Sequence, residues 1–213
     1  VDRDLLDALR GPPVIPVAPD VFLLRKFTDT APLIEQIEEL ATRCPFRILA
    51  TPGGKPMSVS MINCGSFGWH SDRAGYRYVS EDPLTGRPWP QMPRVFAELA
   101  ARAADVAGFE GFMPDCGLVN RYAVGARMGS HRDADELDFS QPIVSVSIGL
   151  PAIFVWHGET RSGTSIPVVL ADGDVMVWGR SARLGYHAVR AIKVPMQPGA
   201  LPCRYNLTFR RAR

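Results

Sequence analysis

Hydrophobic and polar positions change period along the chain. Leu33, Ile34, Ile37, Leu40 and Ala41 recur at helical spacing, Thr30 stands at the capping position and Pro32 lies in the first turn. A helix with one inward face is predicted there, after a short apolar strand at 21–24. Arg94 to Ala107 is rich in alanine and stops at Gly108, which predicts a second, scaffold helix. Beyond it the period becomes two. Strands are predicted at 116–122, 143–148, 152–157, 166–170, 173–178, 185–190 and 203–209, with Gly, Pro or Asp turns between them. Many short strands with flanking helices predict a mainly β sandwich, jelly roll or barrel. Residues 45–93 shift to Gly, Pro, aromatics and Arg, and only 57–63 resembles a strand, so this stretch is predicted to be loop-rich.

Composition narrows the class. A length of 213 residues suits one core rather than two, and 19 Gly with 19 Pro would break the long elements of a helix bundle. The net charge of +2 divides unevenly: residues 1–42 hold eight acids against four bases, which leaves +6 for residues 43–213. All but three of the 24 bases are Arg, suited to a bidentate grip on carboxylate or phosphate. The four cysteines are scattered and form no C-x-x-C pair, so a reducing, cytoplasmic setting is expected. Phe139 to Gly158 carries no formal charge over 20 positions, but two prolines and alternating serines mark strands and not a membrane span. The acidic start, with Asp2, Asp4 and Asp7, has no signal-peptide character.

The candidate chemistry begins with His131 and Asp133, two residues apart and so on one face of an extended segment. An H-x-D pair alone is a common surface pattern. With His187, in a strand segment 54 residues after Asp133, it makes the two-imidazole, one-carboxylate facial set that holds Fe(II) and leaves positions open. At the C-terminus, alternation puts Arg204, Asn206, Thr208 and Arg210 on one face of a strand. Read blandly this is a solvated face, yet the two arginines also suit a small dicarboxylate, and Asn120 and Tyr122 repeat the alternation. A dicarboxylate on such a metal would leave a buried anion, which Arg204 and Arg210 could offset.

In chain order, Asn120-x-Tyr122, His131-x-Asp133, His187 and Arg204-x-Asn206-x-x-x-Arg210 resemble the AlkB branch of the Fe(II)/2-oxoglutarate dioxygenases, which demethylate nucleic acids. Thr51-Pro52-Gly53-Gly54, Met57-Ser58-Val59, Asn63-Cys64-Gly65, Pro88-Trp89-Pro90 and the run from Ser145 to Pro151 extend the likeness to bacterial members, over roughly residues 20–210.

The resemblance implies a double-stranded β-helix, or jelly roll, as a single domain. It would comprise an N-terminal helical preface (1–44), a nucleotide-recognition lid (45–93), a scaffold helix (94–111) and a catalytic core (112–213). It further implies that His131, Asp133 and His187 hold Fe(II), and that Arg204, with Tyr122 and Asn206, takes the distal carboxylate of 2-oxoglutarate. Arg210 and Asn120 would lie near the chelating end, and O2 is the oxidant. Trp69 would stack on an extruded base against His131, with Asp135 accepting its amino group and Thr51, Tyr76, Tyr78 and Arg161 near the strand. Arg73, Arg77 and Arg127 are phosphate candidates by charge alone.

The implied reaction is oxidative demethylation of 1-methyladenine and 3-methylcytosine in single-stranded DNA, with RNA as the other strand. It would be carried out by a monomer with no membrane association, and would release formaldehyde, succinate and CO2. Arg132 and His157 depart from the bacterial pattern. Rival readings are hydroxylation of a protein or small molecule, and an inactive nucleic-acid-binding module.

Overall fold

The structure is a computed structural model, with residues 13–194 and 201–213 described. In chain order it runs β1 (Val14–Ala18), β2 (Val21–Leu24), α1 (Ala31–Arg43), β3 (Ser60–Gly65), β4 (Gly68–Asp72), β5 (Gly75–Val79), β6 (Glu81–Asp82), β7 (Arg87–Pro88) and α2 (Arg94–Val106). There follow β8 (Cys116–Tyr122), β9 (Met128–His131), β10 (Ile143–Gly149), β11 (Ala152–Gly158), β12 (Ile166–Leu170), β13 (Val175–Trp178), a 3-10 turn at Arg180–Ala182, β14 (Tyr186–Val189) and β15 (Arg204–Arg210).

Two antiparallel sheets make a jelly roll. The larger has seven strands in the order β1-β2-β13-β10-β15-β8-β3, and the smaller has four in the order β12-β11-β14-β9. Both faces of the large sheet are covered. On one, Leu33, Ile37 and Leu40 of α1 and Phe96, Leu99 and Ala103 of α2 pack with Val144, Val146, Leu207 and Phe209. Each Leu or Ile so buried contributes about 1.5–3 kcal/mol. On the other, Val21, Leu23, Ile143, Met176 and Trp178 meet Phe154, Trp156, Val168 and Val189 of the small sheet. The alternation of β10 therefore separates helix-facing Val144, Val146 and Ile148 from Ser145 and Ser147, which turn toward the space between the sheets. β15 divides in the same way, and both of its faces are buried. Arg204, Asn206, Thr208 and Arg210 thus do not form a solvated outer face.

Three expectations are revised. The N-terminal preface is not wholly helical: the strand expected at 21–24 is β2, an unexpected β1 precedes it, and β2 pairs with β13 in the large sheet. The catalytic sheet consequently extends beyond residues 112–213. The 45–93 stretch is less loop-like than its composition suggests, because β3 pairs with β8 in that same sheet and β4 with β5 forms a hairpin. Thr30 stands at the N-cap of α1 without capping it by its side chain. Its hydroxyl donates to Asp172 instead, and the carboxylate of Asp29 accepts from the Ala31 N–H. Residues 1–12 of the preface lie outside the described residues.

No helix among the described residues is long and apolar enough to cross a membrane. The uncharged Phe139–Gly158 stretch resolves into β10 and β11. All four cysteines are free thiols, and Cys44, Cys64 and Cys116 are buried.

Gly185, just before β14, lies against the Trp156 ring. A Cβ there would overlap ring atoms Cη2 and Cζ2 and lie 3.0 Å from the Ala182 carbonyl oxygen. Trp156 is itself buried between neighbours and has little room to retreat. Gly185→Ala should therefore destabilise the fold by about 1–3 kcal/mol through overpacking, read as a lower urea midpoint. An unchanged midpoint would mean that the ring can move aside.

Candidate metal centre and its cavity

β9 and β14 pair so that His187 lies directly opposite His131. Cross-strand neighbours of this kind bring side chains together on one face, and the two imidazole centroids are 4.4 Å apart. Asp133, two residues beyond His131, completes the group. Its carboxylate oxygens are 3.9 Å from His131 Nε2 and 3.8 Å from His187 Nε2. One ligand atom from each residue lies within 4.8 Å of the others.

Hydrogen bonding selects the ring tautomers. His131 Nδ1 is 2.9 Å from the Gly129 carbonyl oxygen, and His187 Nδ1 is 3.1 Å from that of Gly185. A carbonyl only accepts, so each Nδ1 carries the hydrogen and each Nε2 turns a lone pair toward Asp133. Burial and the neighbouring His131 push His187 down to about 3, which keeps it neutral near pH 7. Burial would raise the Asp133 carboxyl, but Arg210, His187 and His131 outweigh it and hold that group well below the usual carboxylate range. The donor set is two imidazoles and one carboxylate, which fits Fe(II).

Beneath the triad lies a closed network of four charges. Arg210 donates to Asp133 Oδ2 at 2.9 Å, and its Nε is 3.3 Å from Glu136 Oε1. The other Glu136 oxygen is 3.1 Å from Arg183 NH2, and Tyr78 donates its hydroxyl to Oε1 at 2.8 Å. Two acids and two arginines sum to zero. Arg210 thus pairs with protein carboxylates, yet its Nε and NH1 remain buried without hydrogen-bond partners in the cavity wall. Glu136 lies in a polar loop, yet its side chain is only 1% exposed.

Arg204 is different. It is 1% exposed, makes no ion pair among the described residues, and donates only to the Ser147 hydroxyl, at 3.0 Å. Its Nε and NH1 are buried without hydrogen-bond partners, as are those of Arg210, but no carboxylate lies beside it among the described residues. Burial lowers its pKa, and the Tyr122 ring, 5.2 Å from the guanidinium, is its nearest compensation. A buried guanidinium in this state calls for an anion, and the unpaired fork fits a carboxylate.

Arg204, Arg210, Asn120, Tyr122, Asn206 and the triad all line one cavity of about 1030 Å³. Asn120 Oδ1 is buried there without a partner. The Asn206 amide is occupied, donating to Ser145 Oγ and the Val146 carbonyl and accepting from Thr208. Ser145 and Ser147 had a sequence signal, polar residues alternating through an apolar strand. Glu136 and Arg183 had none.

The hairpin of β4 and β5 forms part of the same wall. Asn63 clasps the Trp69 main chain, accepting from its N–H at 2.9 Å and donating to its carbonyl at 3.0 Å. The Trp69 indole N–H donates to Asp135 Oδ2 at 2.8 Å, and its ring makes an offset stack with exposed Tyr76, centroids 5.5 Å apart. Thr51, Tyr76, Asp135 and Arg161 line the cavity with Trp69. Tyr78 lines the cavity too, and its buried side chain joins the charge network through Glu136.

The rim cations divide by partner. Arg77 grips Asp72 with two hydrogen bonds of 2.8 Å, which removes it as a free phosphate contact. Arg127 lines the cavity and Arg73 is exposed outside its lining. Arg132 and Arg161 each lie 5.5 Å from the Tyr186 ring centroid. His157 is apart from the triad, 3.2 Å from the Ser165 hydroxyl.

Comparison with known proteins gives a consistent picture. The sequence profile of the 2OG-Fe(II) oxygenase superfamily matches residues 20–210. The chain is 48% identical over 199 residues to the alpha-ketoglutarate-dependent dioxygenase AlkB of Escherichia coli (strain K12), covering 92% of each chain. It is 35% identical over 131 residues to the nucleic acid dioxygenase ALKBH1 of Homo sapiens, covering 61% of this chain and 34% of that protein. The solved structure of OsALKBH1 matches with a TM-score of 0.81 at 27% identity, covering 93% of this chain and 100% of the other.

The hairpin also carries a titratable group. His70 is buried beside Asn63, Leu49 and Trp89, with Nε2 3.4 Å from Asp72 Oδ2. Burial lowers its pKa, and Arg77 adds to this, against the opposing pull of Asp72 and Asp82. The unfolded chain, with an ordinary value of about 6.5, then binds this proton more readily, so stability falls as pH drops below that value. Urea midpoints at pH 7.5 and pH 5.5 should fall further in the parent than in His70→Asn. Equal losses would remove His70 as the source.

Proposed function

The chain belongs to the 2OG-Fe(II) oxygenase superfamily, and from that premise we propose that it oxidatively demethylates alkylated bases in single strands, holding iron through His131, Asp133 and His187. It is an alpha-ketoglutarate-dependent dioxygenase that uses Fe(II), 2-oxoglutarate and O2. The observation that carries the assignment of residues is Arg204, a buried cation with no ion pair among the described residues, in the same cavity as the triad. In this reading its fork receives the distal carboxylate of 2-oxoglutarate, with Tyr122 against the guanidinium and Asn120 nearby. Arg210 holds Asp133 in place from behind.

The chemistry the metal supplies when bound is oxidation of a methyl C–H bond by O2, coupled to decarboxylation of 2-oxoglutarate to succinate. The N-hydroxymethyl product then loses formaldehyde to give the plain base. The protein's part is to bring the methyl group to the triad and keep it there. A base inside a duplex cannot reach the cavity, so it enters extruded or from a single strand. Trp69 offers a π face to the ring, and His131 lies at the far side of the slot. Thr51, Tyr76 and Arg161 are assigned to the flanking strand. The human relative is named as a nucleic acid dioxygenase, which supports a nucleic-acid substrate here. The reading takes the strand as DNA, with RNA as the other outcome of an assay, and the protein as a cytoplasmic monomer.

The lesions 1-methyladenine and 3-methylcytosine carry positive charge near neutral pH, which Trp69 and Asp135 can exploit. One Asp135 oxygen is occupied by the indole. Its charge and its other oxygen remain for the base. Asp135→Asn keeps an acceptor for the indole but removes the charge. It should reduce formaldehyde release from oligonucleotides bearing cationic lesions more than from those bearing neutral 1-methylguanine. Equal losses would take Asp135 out of recognition, and no 2-oxoglutarate-dependent formaldehyde from any methylated strand would overturn the proposed function.

Arg204 gives a second test. Arg204→Met fills the volume without a buried charge, so the ligand-free variant should unfold at a temperature no lower than the parent. With metal present, saturating 2-oxoglutarate should stabilise the parent, by about 2.7 kcal/mol at 100 times its Kd, and leave the variant unmoved. A full ligand shift in the variant would place the dicarboxylate elsewhere.

A further inference from the structure

We propose that Arg183 is a positioning residue that fixes the loop carrying Asp133 against the segment carrying His187. The proposal rests on the metal reading of the triad.

His131 and His187 belong to paired strands, whose ladder holds them in register. Asp133 has no such support. Residues 132–142 contain no strand or helix, so the ladder that places the two imidazoles does not extend to the carboxylate. Arg183 follows the 3-10 turn Arg180–Ala182 and precedes His187 by four residues. Its side chain is 2% exposed and is directed entirely at that loop. NH1 donates to the Asp133 carbonyl at 3.0 Å and Nε to the Gln141 carbonyl at 3.0 Å. NH2 is 3.1 Å from Glu136 Oε2, and the guanidinium lies 5.4 Å from the Phe139 ring centroid.

One planar fork therefore holds the loop at its beginning, middle and end. The first of these contacts is to the main chain of the ligand residue itself. The second reaches Glu136, whose other oxygen faces Arg210, the donor to Asp133 Oδ2. Arg183 thus acts on Asp133 twice, through the backbone directly and through the carboxylate by way of Glu136 and Arg210. Lysine cannot reproduce this, because its single ammonium lacks the divergent donors of a guanidinium.

The test uses metal-free protein titrated with Mn(II), comparing the parent, Arg183→Lys, Arg183→Ala and His187→Ala. Arg183→Lys should remain folded by circular dichroism yet bind Mn(II) about 10–100-fold more weakly, as loss of a group that orients a ligand does. Millimolar methylguanidinium should restore part of the affinity lost in Arg183→Ala. Hydrogen exchange in the metal-free variants should quicken across 134–141.

A purely structural role would lower the unfolding temperature and leave the affinity of the folded fraction alone. Folded Arg183→Lys binding within twofold of the parent overturns the proposal by itself. A parent that binds no better than His187→Ala overturns the metal reading and this proposal with it. Should no Arg183 variant fold, unprotected exchange over 134–141 in the metal-free parent overturns it.

Discussion

Charge cannot be buried between two sheets without being answered locally, and this constraint governs how the site is assembled. Asp133, partly buried in the cavity wall, is held as an anion because Arg210 stands behind it. Arg210 in turn requires Glu136, and Glu136 requires Arg183. The closure of that set explains why two arginines on one strand differ. Arg210 lies beside two protein carboxylates, whereas Arg204, six residues earlier on β15, faces the cavity without one, although both keep Nε and NH1 free of hydrogen-bond partners. In the proposed reading, one strand thereby supplies both the support of the metal ligand and the receptor for an external anion.

The same network joins the hairpin to the metal loop. Trp69 reaches Asp135 and Tyr78 reaches Glu136, consecutive residues just past Asp133. The wall that faces the base and the loop that carries the ligand are therefore one mechanical unit. Asn63, projecting from β3 of the large sheet, fixes the near end of that unit by clasping the Trp69 main chain.

Much of this was legible in the sequence, for identifiable reasons. β8, β12 and β15 follow from period-two alternation, and the likeness of Asn120-x-Tyr122 to Arg204-x-Asn206 reflects their being paired neighbours: Asn206 lies opposite Asn120 and Arg204 opposite Tyr122. The histidines could be matched by type, but their opposition could not, because β9 is short and contains Gly129, so it carries little hydrophobic signal. The hairpin was hidden for a similar reason: its strands are dominated by aromatic and polar residues that face a cavity instead of a core. Glu136 and Arg183 were invisible. An acid in a polar loop and an arginine after a turn read as solvated groups until tertiary packing brings them within an ion pair of each other.

The buried thiols carry a different consequence. Burial pushes Cys116 up to about 12 and raises Cys64 as well. At neutral pH the Cys116 thiolate, the species that reacts with electrophiles, is then on the order of one molecule in 100,000. The agents that methylate nucleic acids also methylate exposed thiolates. Cys64 and Cys116 are thus kept protonated and out of reach of electrophiles.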